Sequence, residues 1–394
     1  MLLAAVLLLI SAFSPTSATE GLSGSGDTVT ISREEYEQLQ RYAELEEIRE
    51  LVEAYYYQDA DEEKMLDYAA YGMLSALDDP YTFYYTPEAY EELWEDDEGD
   101  YAGIGLQITT YYETDQCIIS RVFLNSPALE AGMRKGDILR WVEDIEVNSS
   151  TINDAVDVMR GQIGEPVSVT VERGGEMLTF SVVRAQVHVN WVNSCMLDDE
   201  IGYLCLYDFS GDCAETFQTH LESLIDSGAK ALILDLRDNP GGWVDDANSI
   251  GNLFLDEGVL ATVHYKDGTI ETMTTNKNVA TDLPLVVLIN ENSASSSEIL
   301  SGALQDRGRA TVVGVQSYGK GIIQVVLDIG SRGAGMQMTI ASYQTPNGNE
   351  VHKIGITPDI VAELPEDDDG MYDFGDLNDP QLQVAYETAL EMAK

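Results

Sequence analysis

The chain has 394 residues, of which 44% are hydrophobic, enough for two or three packed domains. Its 21 basic and 70 acidic residues leave a formal net charge of −49. That sign argues against binding to nucleic-acid phosphates and to anionic headgroups, both of which need lysine and arginine; it fits a solubilising surface, with steering of basic substrates as the sharper alternative.

Residues 1–18 carry an apolar run too short to span a bilayer, then a Ser14-Pro15 break and small residues. This predicts an exported chain with a signal segment, although the basic n-region is missing; an uncleaved membrane anchor is the alternative. Residues 19–28 read as a flexible linker. Ser32-Arg33-Glu34-Glu35 opens a helix as a capping box. Leu39, Tyr42, Leu45, Ile48, Leu51 and Val52 then recur at helical spacing. A second helix is expected over 61–77, and the acidic stretch 88–100 reads as a solvated face.

Near Tyr101 the texture changes to short strands punctuated by glycine. Strands are expected over 101–108 and 117–123, a short helix from Ser126 to Gly132, a helix over 152–160 and a hairpin turning at Gly174-Gly175. From residue 187 strands and helices alternate: strands at 201–206, 231–236, 283–289, 311–315, 324–328 and 336–343, helices at 214–227, 245–255 and 295–305. Such alternation argues for a layered α/β core. The domain boundaries expected are 1–18, 19–98 (linker and helices), 99–186 and 187–394. Cys117, Cys195, Cys205 and Cys213 match no zinc spacing. A cross-strand disulfide between Cys195 and Cys205 competes with buried free thiols.

Three segments carry candidate chemistry. In the first, an apolar strand ending near Ile289 runs through Ser293, Ser295, Ser296 and Ser297 into an amphipathic helix. A serine at that corner sits over helix N-terminal amides, which favour developing negative charge; plain N-capping explains the same serines. In the second, Lys320, one of only eight lysines, lies between Gly319 and Gly321 with Ile322 and Ile323 following. Burial there lowers a lysine pKa and makes it a general base; a surface turn is the alternative. In the third, Asp235 to Gly242 (DLRDNPGG) ends a buried strand in a loop able to present free amides. His188, His220, His264 and His352 lie beside no nucleophile motif, and a Ser-His-Asp triad using Asp235 is the weaker alternative. No metal cluster or dinucleotide fingerprint is present, so no cofactor is expected.

Together these segments resemble the carboxy-terminal processing peptidases, or tail-specific proteases, over nearly everything from residue 35 onward. The resemblance rests on Leu77 to Thr82 with Thr86-Pro87, on Gly103-Ile104-Gly105, Ser126-Pro127-Ala128 and Ala131 to Leu139, and on Asp235 to Gly242. It continues through Ser293 to Glu298, Ser317 to Gly321 with Gln324, Tyr343 to Gly348 and Gly355 to Ile360. It implies a crotonase-like or ClpP-like layered protease core with an inserted PDZ domain and an N-terminal helical segment. It also implies a serine endopeptidase that cuts proteins near their C-termini. Carried over residue by residue, it makes Ser295 the nucleophile, Lys320 the base and Gln324 the residue that orients the lysine. The amides of Gly241 and Ser296 form the oxyanion hole, and those of Gly103, Ile104 and Gly105 take the substrate carboxylate. Homodimerisation through helices near both ends is implied as well. Asn292 and Ser296 stand where the family commonly has glycine and alanine. A non-catalytic PDZ scaffold and a crotonase-like acyl-CoA enzyme remain the competing readings.

Overall fold

The computed structural model describes residues 30–394 except 113, 366, 367, 369 and 371. The signal-or-anchor segment 1–18 and the linker 19–28 lie outside the described residues.

Ser32 caps the helix Arg33–Gln40 through the expected capping box, with Glu35 reaching back to the Ser32 amide. The helices Ala43–Tyr55 and Glu62–Ser75 follow, and none of the three buries a residue. Leu39, Tyr42, Leu45, Ile48 and Leu51 form an apolar row that stays exposed. No helix of the described residues is long and apolar enough to cross a membrane.

The acidic stretch departs from expectation. Thr86 caps a helix, Pro87–Glu98, that is solvated on one side only. Its other side stacks Trp94 on Trp243, with ring centroids 5.7 Å apart, and Asp97 accepts the Trp243 indole N–H at 2.6 Å. Aromatic burial thus decides the docking of a segment whose composition suggested solvent.

Residues 101–108 are not one strand. Asp100–Gly103 pairs with Ala185–His188, whereas Leu106–Tyr111 pairs with Gln116–Val122 in another sheet. Gly105, at φ +87, breaks the run; a Cβ there would strike the Ser126 side chain. The second sheet continues through Ile138–Val142, Pro166–Arg173 and Glu176–Val183, with Leu106–Tyr111 as an edge strand. The helices Pro127–Ala131 and Ile152–Met159 close its core of Cys117, Ile119, Leu139, Val169 and their neighbours.

The main core is a six-stranded sheet ordered Val192–Met196, Ile201–Leu206, Ala231–Asp235, Leu285–Ile289, Ala310–Gly314, Ile360–Val361. All pairs after the first are parallel. Leu285–Ile289 is buried at every residue, as a parallel strand covered on both faces must be. The helices Cys213–Asp226, Val244–Phe254 and Ser296–Asp306 cover one face, and Pro380–Met392 covers the other. A five-stranded sheet adds the strand Ala334–Gln344, which pairs with Phe83–Tyr85, Gly258–Tyr265 and Ile322–Ile329. The hairpin Gly258–Tyr265 and Ile270–Thr275 was not anticipated, although its Asp267-Gly268 turn is a readable signal.

The cysteines are free. Cys195 lies opposite Tyr203 and Cys205 opposite Asn193, so the two thiols are out of register for a cross-strand disulfide.

Candidate active site

Leu285–Ile289 delivers the chain to a corner at 290–295 before helix Ser296–Asp306 begins. Four serines crowd this corner, and the hydrogen bonds tell them apart. Ser293 Oγ donates to the Leu236 carbonyl at 2.8 Å, Ser296 Oγ to Gly242 at 2.9 Å and Ser297 Oγ to Asn239 at 3.0 Å. Ser295 is fully buried, and its Oγ has no hydrogen-bond partner. Its backbone sits at φ 60, ψ −116, a sparsely populated region for a residue with a side chain. A buried hydroxyl left unpaired on a strained backbone costs stability twice over, the pattern of a site built for something besides folding.

Lys320 is likewise 2% exposed with its Nζ unpaired. Burial is the main force on it and lowers its pKa to about 8, against the opposing pull of Glu298 and Asp79. The Tyr81 ring lies 4.6 Å from Nζ. The surface-turn alternative for this lysine is thereby overturned.

Two buried groups tie the lysine loop to the serine corner. Glu298 Oε2 accepts the backbone N–H of both Ser295, at 2.9 Å, and Lys320, at 2.8 Å. Its Oε1 accepts from Ser317 Oγ at 2.5 Å and Gly319 N at 2.7 Å. Burial raises the Glu298 pKa, and these four donors oppose that rise. On the carbonyl side the Tyr343 hydroxyl lies 3.1 Å from Ser295 O and 3.2 Å from Lys320 O. Glycine at 321 lets the loop in, since a Cβ there would overlap the backbone of His352.

Gly241 packs its backbone on the same corner, at φ +109, where a Cβ would lie 2.7 Å from Ser295 Cβ. Its N–H donates to Asn239 Oδ1 at 2.9 Å, so this amide is engaged rather than free. Asn239 is held in turn, its Nδ2 donating to the Leu206 carbonyl. Ser296 is the first residue of its helix, where backbone N–H groups lack intrahelical acceptors. Gln324 is buried on Ile322–Ile329, and its Nε2 donates to Thr339 Oγ1 at 3.2 Å. Asn292 does not take the left-handed conformation; its side chain donates to Asp238 at 2.8 Å.

The histidines stay outside this cluster's hydrogen bonds. His188 meets Asp100, His220 meets Ser194 and His264 meets Gln344. Asp235 is engaged by Arg237 and Tyr203, with Arg237 bridging on to Asp379 at 2.7 Å. A triad through Asp235 therefore has no histidine to use. Gly103, Ile104 and Gly105 lie far along the chain, joining Asp100–Gly103 to the edge strand Leu106–Tyr111, with Ile104 buried.

Peptidase family S41 matches residues 200–362, a PDZ domain matches 102–183, and the "Activating protease CtpB N-terminal domain" matches 12–89. The carboxyl-terminal-processing protease of Synechocystis sp. is 37% identical over 327 residues, 81% of this chain and 75% of that protein. That of Bartonella bacilliformis is 35% identical over 348 residues, 86% and 78% of the two chains. This chain belongs to the carboxyl-terminal processing proteases of peptidase family S41.

Among solved structures, the photosystem II D1 C-terminal processing protease superposes with a TM-score of 0.58 at 26% identity, covering 91% of this chain and 99% of that one. An S41 protease from Bacteroides fragilis gives the same TM-score at 15% identity, a likeness of fold. This carboxyl-terminal processing protease is thus a mixed α/β serine-protease family member that carries a PDZ domain. Sequence reasoning assigned no role to Glu298, Tyr343 or Tyr81. Glu298 had a readable signal, because a glutamate three residues after a serine N-cap is capping-box spacing. Tyr81 and Tyr343 fall within segments that carry the resemblance, Leu77 to Thr82 and Tyr343 to Gly348, but nothing in those segments placed them beside Lys320 or Ser295, as each reaches the site from a distant turn or strand.

Proposed function

We propose that this protease cleaves protein substrates near their C-termini through a Ser295–Lys320 dyad. The observation that carries the reading is the pair of buried, unpaired groups, Ser295 Oγ and Lys320 Nζ, on backbones joined by Glu298 and Tyr343. A lysine with its pKa brought down to about 8 is neutral often enough to accept a proton. Lys320 takes the Ser295 proton as Oγ attacks the peptide carbonyl, then hands it to the leaving amine. Water, deprotonated by the same lysine, releases the acyl-enzyme. Gln324 orients the lysine.

The oxyanion is received by the N–H groups of Gly241 and Ser296. Because Asn239 Oδ1 holds the Gly241 amide, the carbonyl oxygen must displace or share that bond on arrival. Losing one such donor costs roughly 3–4 kcal/mol of barrier. The PDZ domain adds the substrate's terminal strand to the open edge of Leu106–Tyr111, with the carboxylate at the amides of Gly103 to Gly105. The unburied apolar row of the N-terminal helices supports a homodimer, and the apolar run in residues 1–18 with its Ser14-Pro15 break supports an extracytoplasmic location.

Casein and a peptide with a free apolar C-terminus, incubated with wild type, Ser295→Ala and Lys320→Ala, test the dyad. Both variants are expected to be inactive; activity in Lys320→Ala sinks the mechanism. Deleting 101–186 is expected to abolish the preference for free C-termini, and a preference that survives removes the PDZ role.

A further inference from the structure

The turn that follows the N-terminal helices reaches into the site. Asp79 organises it, accepting the Tyr81 N–H at 3.0 Å and the Thr82 hydroxyl at 2.7 Å. Thr82 Oγ1 then accepts the Thr339 N–H, and Gln337 Nε2 donates to the Tyr81 carbonyl at 3.1 Å, fastening the turn to strand Ala334–Gln344. The result is a Tyr81 ring centred 4.6 Å from Lys320 Nζ, its hydroxyl turned to the Tyr318 hydroxyl at 3.4 Å.

The groups facing Lys320 come from every element packed on it. Asp79 and Tyr81 lie on the turn, Glu298 on helix Ser296–Asp306, Tyr318 on the lysine's own loop, Tyr343 on Ala334–Gln344 and His352 behind Gly321. The acids among them are spent elsewhere. Glu298 takes four donors, none of them Nζ, and Asp79 takes the Tyr81 and Thr82 donors of its own turn together with the Thr339 side chain. Nζ therefore meets a π-face where a buried ammonium would usually meet a carboxylate. An ion pair would hold the lysine protonated and unfit as a base. An aromatic face attracts the ammonium more weakly and occupies none of its N–H bonds.

We propose that Tyr81 is a positioning residue for the catalytic base: its ring steadies the Lys320 ammonium formed during acyl transfer while leaving all three N–H groups free for Ser295, the leaving amine and Gln324. This rests on the reading of Lys320 as the base. The ring is the active part, and the hydroxyl is dispensable.

The test is the pH profile of kcat/KM on a quenched peptide for wild type, Tyr81→Phe and Tyr81→Leu, where the acid limb reports the base in free enzyme. Leucine keeps an apolar cover but removes the quadrupole, so the ammonium loses stabilisation. Its limb should move to lower pH by about half to one unit, with plateau kcat down roughly three- to ten-fold. Tyr81→Phe should restore both to wild-type values. A Leu limb that stays put or moves up, or a Phe variant that behaves like Leu, overturns the proposal. Lys320→Ala run alongside separates the two readings. Activity surviving there removes the base assignment and this inference with it. An inactive Lys320→Ala with an unmoved Tyr81→Leu limb removes the inference alone.

Discussion

Gly241→Ala is the sharpest perturbation of the serine corner. The added Cβ would stand 2.7 Å from Ser295 Cβ, 2.9 Å from Ala294 O and 3.0 Å from Ser296 N. The first of these is about 0.7 Å short of ordinary van der Waals contact at 3.4 Å. All three neighbours lie at residues 294–296, whose buried backbone Glu298, Tyr343 and Asn239 already hold, and the nearest is a Cβ fixed directly to that backbone, so the misfit cannot be absorbed by the far end of a flexible side chain. A displacement approaching 1 Å at a nucleophile costs on the order of 10²-fold in rate. Alanine at φ +109 adds a backbone penalty of about 1–2 kcal/mol. The expected variant is folded, melts several degrees lower and has kcat/KM reduced at least 50- to 100-fold, mostly in kcat. Burst titration with an acylating ester measures the fraction of Ser295 able to react, and thermal denaturation reports the fold. A variant with kcat/KM within twofold of wild type would show that the Gly241 backbone does not press on the nucleophile as argued.

Further expectations follow from the same geometry. Lys320→Met should stabilise the protein while abolishing activity, because burial moves the lysine from its ordinary 10.5 to about 8, a cost of about 3 kcal/mol when the group is charged. The unfolded chain holds the proton more tightly than the folded one, so this gain is full below pH 8 and fades as pH rises toward 10.5; denaturant unfolding at pH 7 and pH 10.5 checks it. Glu298→Gln places an amide group among four donors, and should cost about 2–4 kcal/mol with loss of most activity, read by urea titration and peptide cleavage. Trp94→Ala removes the stacked partner of Trp243, the residue after Gly242; stability should fall by about 2–3 kcal/mol and kcat/KM roughly ten-fold.

Much of the fold was legible because its signals are local. The continuous apolar strands and the helices after Ser293 and Gly242 announce a layered core. Gly132 and the Gly174-Gly175 pair mark turns where the structure has them. The misreadings came from tertiary effects. The acidic 88–100 stretch looks solvated until Trp94 finds Trp243, and 101–108 looks like one strand until Gly105 sends its halves to separate sheets. At the site, spacing found the motif segments but did not separate the four serines; only the resemblance singled out Ser295. What distinguishes Ser295 physically is non-local: the other three hydroxyls are taken by carbonyls of Leu236, Asn239 and Gly242, residues more than fifty positions away.

The double bridge through Glu298 and Tyr343 constrains how such an enzyme can be silenced. With their amides on one carboxylate oxygen and their carbonyls at one phenol, the serine corner and the lysine loop travel as a single rigid part. Prising them apart would strand a buried charge, so evolution has little room to throttle turnover by that route. The 239–242 loop is fastened to the same corner, with Asn239 O taking the Ala294 amide and the Ser297 hydroxyl and Gly242 O taking the Ser296 hydroxyl. Trp243 follows directly and leans on the helix Pro87–Glu98 ahead of the PDZ domain, so one indole ties that helix to the corner of residues 293–297.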